Sequence, residues 1–151
     1  MFQTIKNLLT LNIAMLGKVR SITAYTEALA FRNANEHGKA LPLMIEAAEL
    51  GNVQAMSVLG SMYLLGQGVK EDGSQAVMWL QKAIDGGFES AISVLGMAYA
   101  TGKAGVQIDI AKARKMLNFA AEQGDHQSAK MLSMMDNGEG MFHNLKKRRS
   151  K

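Results

Sequence analysis

The chain has 151 residues, 48% of them hydrophobic, with one proline, no cysteine and a net charge of +4. That length suits one domain with a continuous core, and the missing cysteine excludes disulfide frameworks, thiol catalysis and cysteine-bound zinc. The positive excess sits at the ends: residues 23–145 hold nine basic side chains against thirteen acidic ones, so it does not signal a basic binding groove. A cytoplasmic location is the simplest expectation, and a disulfide-free periplasmic or secreted one stays open.

Residues 1–22 read as an apolar helix carrying Lys6, Lys18, Arg20 and no acid. Its apolar run, Leu8 to Leu16, is interrupted by Thr10 and Asn12, too short and too broken to cross a bilayer. Lys18 and Arg20 stand where an export signal should be neutral, and the nearest small-x-small site, Ala28-Leu29-Ala30, falls inside a repeat-like segment. A helix capping the first hairpin is the expectation, with weak membrane contact and export as the open alternatives. Residues 23–51 then look like a degenerate repeat unit. Ala40, Leu43, Met44, Ala47 and Ala48 keep the phase of later second helices, and Pro42 is expected in the first turn of that helix.

Residues 55–124 say nearly the same thing twice, at an offset of 36 that becomes 37 after one inserted loop residue, Ala104. A period of this size marks a helical solenoid. In the first copy Ala55, Leu59, Met62 and Tyr63 fall on three- and four-residue spacing and line one helical stripe. Gly60 and Gly96 recur mid-helix, where glycine costs about 1 kcal/mol against alanine. Their recurrence predicts close backbone packing. Gly66, Gly68, Gly102 and Gly105 end the first helix and turn the chain. Asp72 and Asp109 are placed to cap the second helix, which carries Ala76, Trp79, Leu80 and Ala83 in one copy and Ala113, Met116, Leu117 and Ala120 in the other. The units so bounded are 23–51, 52–87 and 88–124.

The run Ala55-x-x-x-Leu59-Gly60-x-Met62-Tyr63-x-x-Gly66-x-Gly68-Val69-x-x-Asp72-x-x-x-Ala76-x-x-Trp79-x-x-Lys82-Ala83 resembles the Sel-1-like repeat (SLR) family, relatives of the tetratricopeptide repeats. Ala98 and Met116 depart from the pattern in the second copy. The resemblance covers about residues 39 to 133 and implies an all-α fold, a right-handed α/α superhelix of antiparallel helix pairs that binds other proteins without catalysing a reaction.

After Gly124, Asp125 is placed to cap a terminal helix over 125–136 carrying Ala129, Leu132 and Met135. The pattern decays at Asp136-Asn137-Gly138-Glu139-Gly140, and residues 137–151 read as a basic tail, disordered from Met141 on. Its Lys146-Lys147-Arg148-Arg149 cluster suits solvation better than nucleic acid or anionic lipid, since no aromatic interleaving accompanies it.

No catalytic set emerges. His37, His126 and His143 are scattered over a turn, a helix start and the tail, with no i, i+4 pair to hold a metal. The glycines follow helices, whereas a phosphate loop follows a strand. No cofactor, metal or enzymatic activity is expected. Function then falls to the concave face, which in this architecture is lined by the first helix of each pair. Phase selects Gln54, Ser57, Ser61 and Leu64 in one unit, Ser90, Ser93, Met97 and Thr101 in the next, then Lys130 and Met134. Small polar groups mixed with exposed Leu and Met suit a docked peptide or helix. The expected role is a scaffold or adaptor for a partner protein. The alternatives are, by the same resemblance, a bacterial immunity protein that neutralises a secreted toxin or phospholipase effector, and nucleic-acid or anionic-lipid contact through the basic tail.

Overall fold

The computed structural model describes residues 2–139 and Phe142. Among these residues the chain is wholly helical: α1 (Phe2–Asn33), α2 (His37–Glu49), α3 (Val53–Leu65), α4 (Gly73–Asp85), α5 (Ala91–Thr101), a 3-10 turn at Lys103–Gly105, α6 (Ile110–Glu122) and α7 (His126–Asn137). The second half of α1 pairs with α2, α3 with α4, and α5 with α6, while α7 closes the stack against α6. This is an α-solenoid.

Local chemistry sets the helix starts. Asn52, Asp72, Asp109 and Asp125 each accept a bond from a backbone N–H three residues on, at 2.9 to 3.0 Å. Each cap satisfies one of the donors that a helix start leaves without an intrahelical partner. The Asp72 N–H donates to the Tyr63 carbonyl at 3.1 Å and the Asp109 N–H to the Tyr99 carbonyl at 3.0 Å. The same bond therefore closes both repeats at the same place.

Packing follows the repeat. An alanine Cβ at Gly60 would stand 2.6 Å from Leu80 Cγ, and one at Gly96 3.1 Å from Leu117 Cγ. The mid-helix glycines are the points where the two helices of a hairpin close on each other. Successive hairpins join in a second way. Gly68, in the α3–α4 loop, lies against the His37 backbone at the start of α2, and the Ala104–Val106 segment lies against Gly73 at the start of α4. Each loop thus rests on the second helix of the preceding hairpin, leaving no room there for a Cβ. Three buried clusters run along the stack, around Met44, Leu59 and Met62, around Leu80 and Leu95, and around Leu117 and Met135.

Four expectations change. Residues 1–22 form no separate capping helix: α1 is continuous to Asn33, and before Ser21 its side chains are almost all exposed. Capping would need a surface under that half, and α2 reaches only the face carrying Ser21, Ala24 and Ala28. Pro42 lies beyond the first turn, because α2 already starts at His37. Its ring costs the bond that the Gly38 carbonyl would accept, at a position open to solvent. His37, expected in the turn, is that helix's first residue. Phe142, expected in the disordered tail, is buried with Ala100, Ala113, Leu117 and Met135. The basic cluster at 146–151 and His143 lie outside the described residues.

Candidate functional site: the inner face of the solenoid

The first helices of successive hairpins touch, α3 with α5 and α5 with α7, while α2, α4 and α6 approach one another less. From α3 onward the first helices thus lie closer together than the second helices, as on the inner side of a curve.

Of the residues that phase places on this face, Gln54, Ser90 and Lys130 are exposed, and Ser61, Ser93, Met97, Thr101 and Met134 are half-buried. Leu64 is a correction. It is buried, in one cluster with Leu80, Ala91 and Leu95, and so belongs to the seam between the second and third hairpins. Ser57 is buried as well. A single-helix wheel shows which side of α3 its own partner covers, but not that α5 closes over another part of it.

The accessible residues have modest hydrogen-bonding demands. The Ser61 hydroxyl donates to the Ser57 carbonyl at 3.1 Å, and the Thr101 hydroxyl to the Met97 carbonyl at 2.9 Å. Back-bonding of this kind satisfies the hydroxyl's own proton; the Ser61 oxygen stays able to accept from a ligand, whereas the Thr101 oxygen already accepts from the Lys103 N–H at 3.3 Å. Met97 and Met134 pack one flank against the last cluster and stay partly accessible, which gives adaptable apolar contacts.

Two open hollows flank the row. One, of about 320 Å³, lies between the start of α5 and the α6–α7 turn, lined by Glu89, Ser90, Ser93, Phe119, Gln123 and Asp125 among others. The other, of about 480 Å³, lies between α1 and the Leu50–Gln54 turn. Glu89, Phe119 and Gln123 were not picked out by phase, because they come from a helix start and from the second helix of a pair. In the first hollow the Ser128 hydroxyl and N–H both donate to Asp125, which holds its carboxyl below the usual aspartate range. That carboxylate is committed to its cap.

Elsewhere several charged groups serve the fold. The Arg20 guanidinium grips both Glu46 oxygens, at 2.7 and 2.6 Å, tying α1 to α2 and lowering the Glu46 pKa. Lys103 pairs with Glu71 and Arg114 with Asp136, both at 2.7 Å. Lys82 lies 4.4 Å from the Trp79 ring centroid and Lys112 4.2 Å from that of Tyr99, so the aromatic positions of the repeat carry cation–π contacts. Among the described residues no group of three His, Asp or Glu side chains is placed to hold a metal ion.

Residues 53–88 and 90–125 each match the Sel1 repeat model. No curated protein matches the chain. Three solved structures are similar to it. A protective antigen of uropathogenic Escherichia coli strains that displays an SLR fold is 33% identical, with a TM-score of 0.69 over 82% of this chain and 27% of that one. A Sel1 repeat protein from Oxalobacter formigenes is 28% identical, with a TM-score of 0.60 over 68% and 44%. Cysteine-rich protein B of Helicobacter pylori is 26% identical, with a TM-score of 0.52 over 62% and 69%. The chain thus spans 27% and 44% of the lengths of the first two.

Proposed function

Because the chain is a Sel1-repeat protein, and such proteins are generally scaffolds for protein interaction, we propose that it binds a partner protein or peptide along the inner face of the solenoid. The observation that carries this reading is the accessible row from Gln54 through Ser93 and Met97 to Lys130, running across consecutive first helices. It offers hydroxyls, the Gln54 amide, the Lys130 ammonium and two methionines on one helical support. An extended or helical segment can use all of these without large rearrangement. The role is binding, with no chemistry of its own.

The test is affinity capture with the wild-type chain beside Met97→Asp/Lys130→Glu and an outer-face control, Lys115→Glu. A single protein recovered in stoichiometric amount, lost with the inner-face pair and kept with the control, supports the reading. Recovery that follows Lys115 instead overturns it. If the captured protein is a toxin or effector whose activity the complex abolishes, the binding is inhibitory, which is the finer form of the same proposal.

A further inference from the structure

We propose that the projecting half of α1 lies in the interface of an anionic lipid membrane, and so holds the solenoid at a bilayer surface. Beyond the reach of α2, the face that carries Ser21 and Ala24 continues toward the N-terminus as Gly17, Ala14 and Thr10, all small or polar. The rest of the circumference carries Leu11, Met15, Leu8, Ile5, Leu16, Leu9 and Ile13, each more than half exposed, with Asn12 the polar residue among them. The middle of this arc therefore points away from the hairpin that α1 serves, and the exposure of its side chains leaves it uncovered by the described chain. A surface can approach from that side without meeting the solenoid body.

Two features select an anionic bilayer. The apolar arc occupies more than half of the helix circumference, whereas the seam of a paired coil uses two positions in seven. A flat interface covers such an arc and a single neighbouring helix does not. The charge points the same way. Lys6 and Lys18 sit at the two borders of the arc, in no ion pair among the described residues, and no acidic residue occurs before Glu27. A second copy would set like charges beside each other, while anionic headgroups neutralise them and let the lysine stems snorkel. Residues 5–19 span about 22 Å at 1.5 Å per residue. Among the described residues no helix is long and apolar enough to cross a membrane, so this segment lies on the bilayer and does not span it.

The experiment is co-sedimentation of the full chain with vesicles of phosphatidylcholine alone or mixed with phosphatidylglycerol, at low and high salt. Wild type is expected to bind the mixed vesicles, more weakly in high salt and weakly to phosphatidylcholine. Lys6→Gln/Lys18→Gln should lower that binding by roughly 25-fold, about fivefold for each charge removed. Ile13→Asp, at an exposed site and so with an unchanged melting curve, should lower it on the order of tenfold or more. Equal binding to both vesicle types, or none to either, overturns the proposal. So does a dimer in sedimentation velocity that Ile13→Asp dissolves, with no vesicle binding; the face would then belong to a second copy.

Discussion

Gly60 and Leu80 bring the two helices of the second hairpin into close approach: a methyl group on Gly60 would stand 2.6 Å from Leu80 Cγ and 3.1 Å from the Ala76 carbonyl oxygen. The equivalent distance at Gly96 is 3.1 Å, to Leu117 Cγ, with Met116 Cβ at 3.2 Å. Two opposing effects then separate the copies. Overpacking a core costs about 1–3 kcal/mol, and replacing a mid-helix glycine by alanine returns about 1 kcal/mol. Gly60→Ala should therefore destabilise by up to about 2 kcal/mol, while Gly96→Ala should stay within about 0.5 kcal/mol of wild type. Urea midpoints at unchanged m-value check both.

The acidic caps should act alike in every hairpin. Asp72→Ala and Asp109→Ala each remove an acceptor held at 2.9 to 3.0 Å from a helix N–H, and each should cost about 1 kcal/mol. Equal losses from the two repeats are expected in thermal or urea melts.

Asp125 adds a pH dependence. Its folded pKa lies below the ordinary 3.8, chiefly through the Ser128 hydroxyl bond. A depressed carboxyl pKa contributes stability that is complete above the unfolded value and is lost as pH falls through the folded one. Asp125→Asn keeps a capping side chain but cannot titrate. The advantage of wild type over this variant should shrink as pH drops below about 4, read from urea melts across that window. An advantage that grows on acidification contradicts the assignment.

Leu64 and Phe142 should report on stability and not on binding. Both are buried, Leu64 in the seam between hairpins and Phe142 against the last one. Leu64→Ala should cost about 2–3 kcal/mol and Phe142→Ala about 3 kcal/mol, as cavities in a packed core do. If Leu64→Ala instead weakened partner capture with no loss of stability, Leu64 would belong to the inner face and not to the seam.

Most of the fold could be read from residues 55–124, because in a solenoid each unit meets only its neighbours and the period records that contact directly. The cap at Asp72, the close approach at Gly60 and the two-helix units are local consequences of that period. The Asn52 cap carries an equally local signal, an asparagine directly before an apolar helical run. Contacts between units were harder. The burial of Leu64 depends on α5, the rest of Gly68 on His37 depends on α2, and neither neighbour leaves a mark in the segment itself. The inner-face row was legible only in part for the same reason: phase orients a helix against its own partner, and curvature decides what remains accessible. The long α1 escaped because its apolar arc looked like a packing face, and in the fold that arc has no partner.

Amide hydrogen exchange on the chain with and without its captured partner is the most direct test of the central claim, that first helices line a docking surface. Added protection is expected in α3, α5 and α7, with α2, α4 and α6 changed little. Protection confined to the second helices would contradict it.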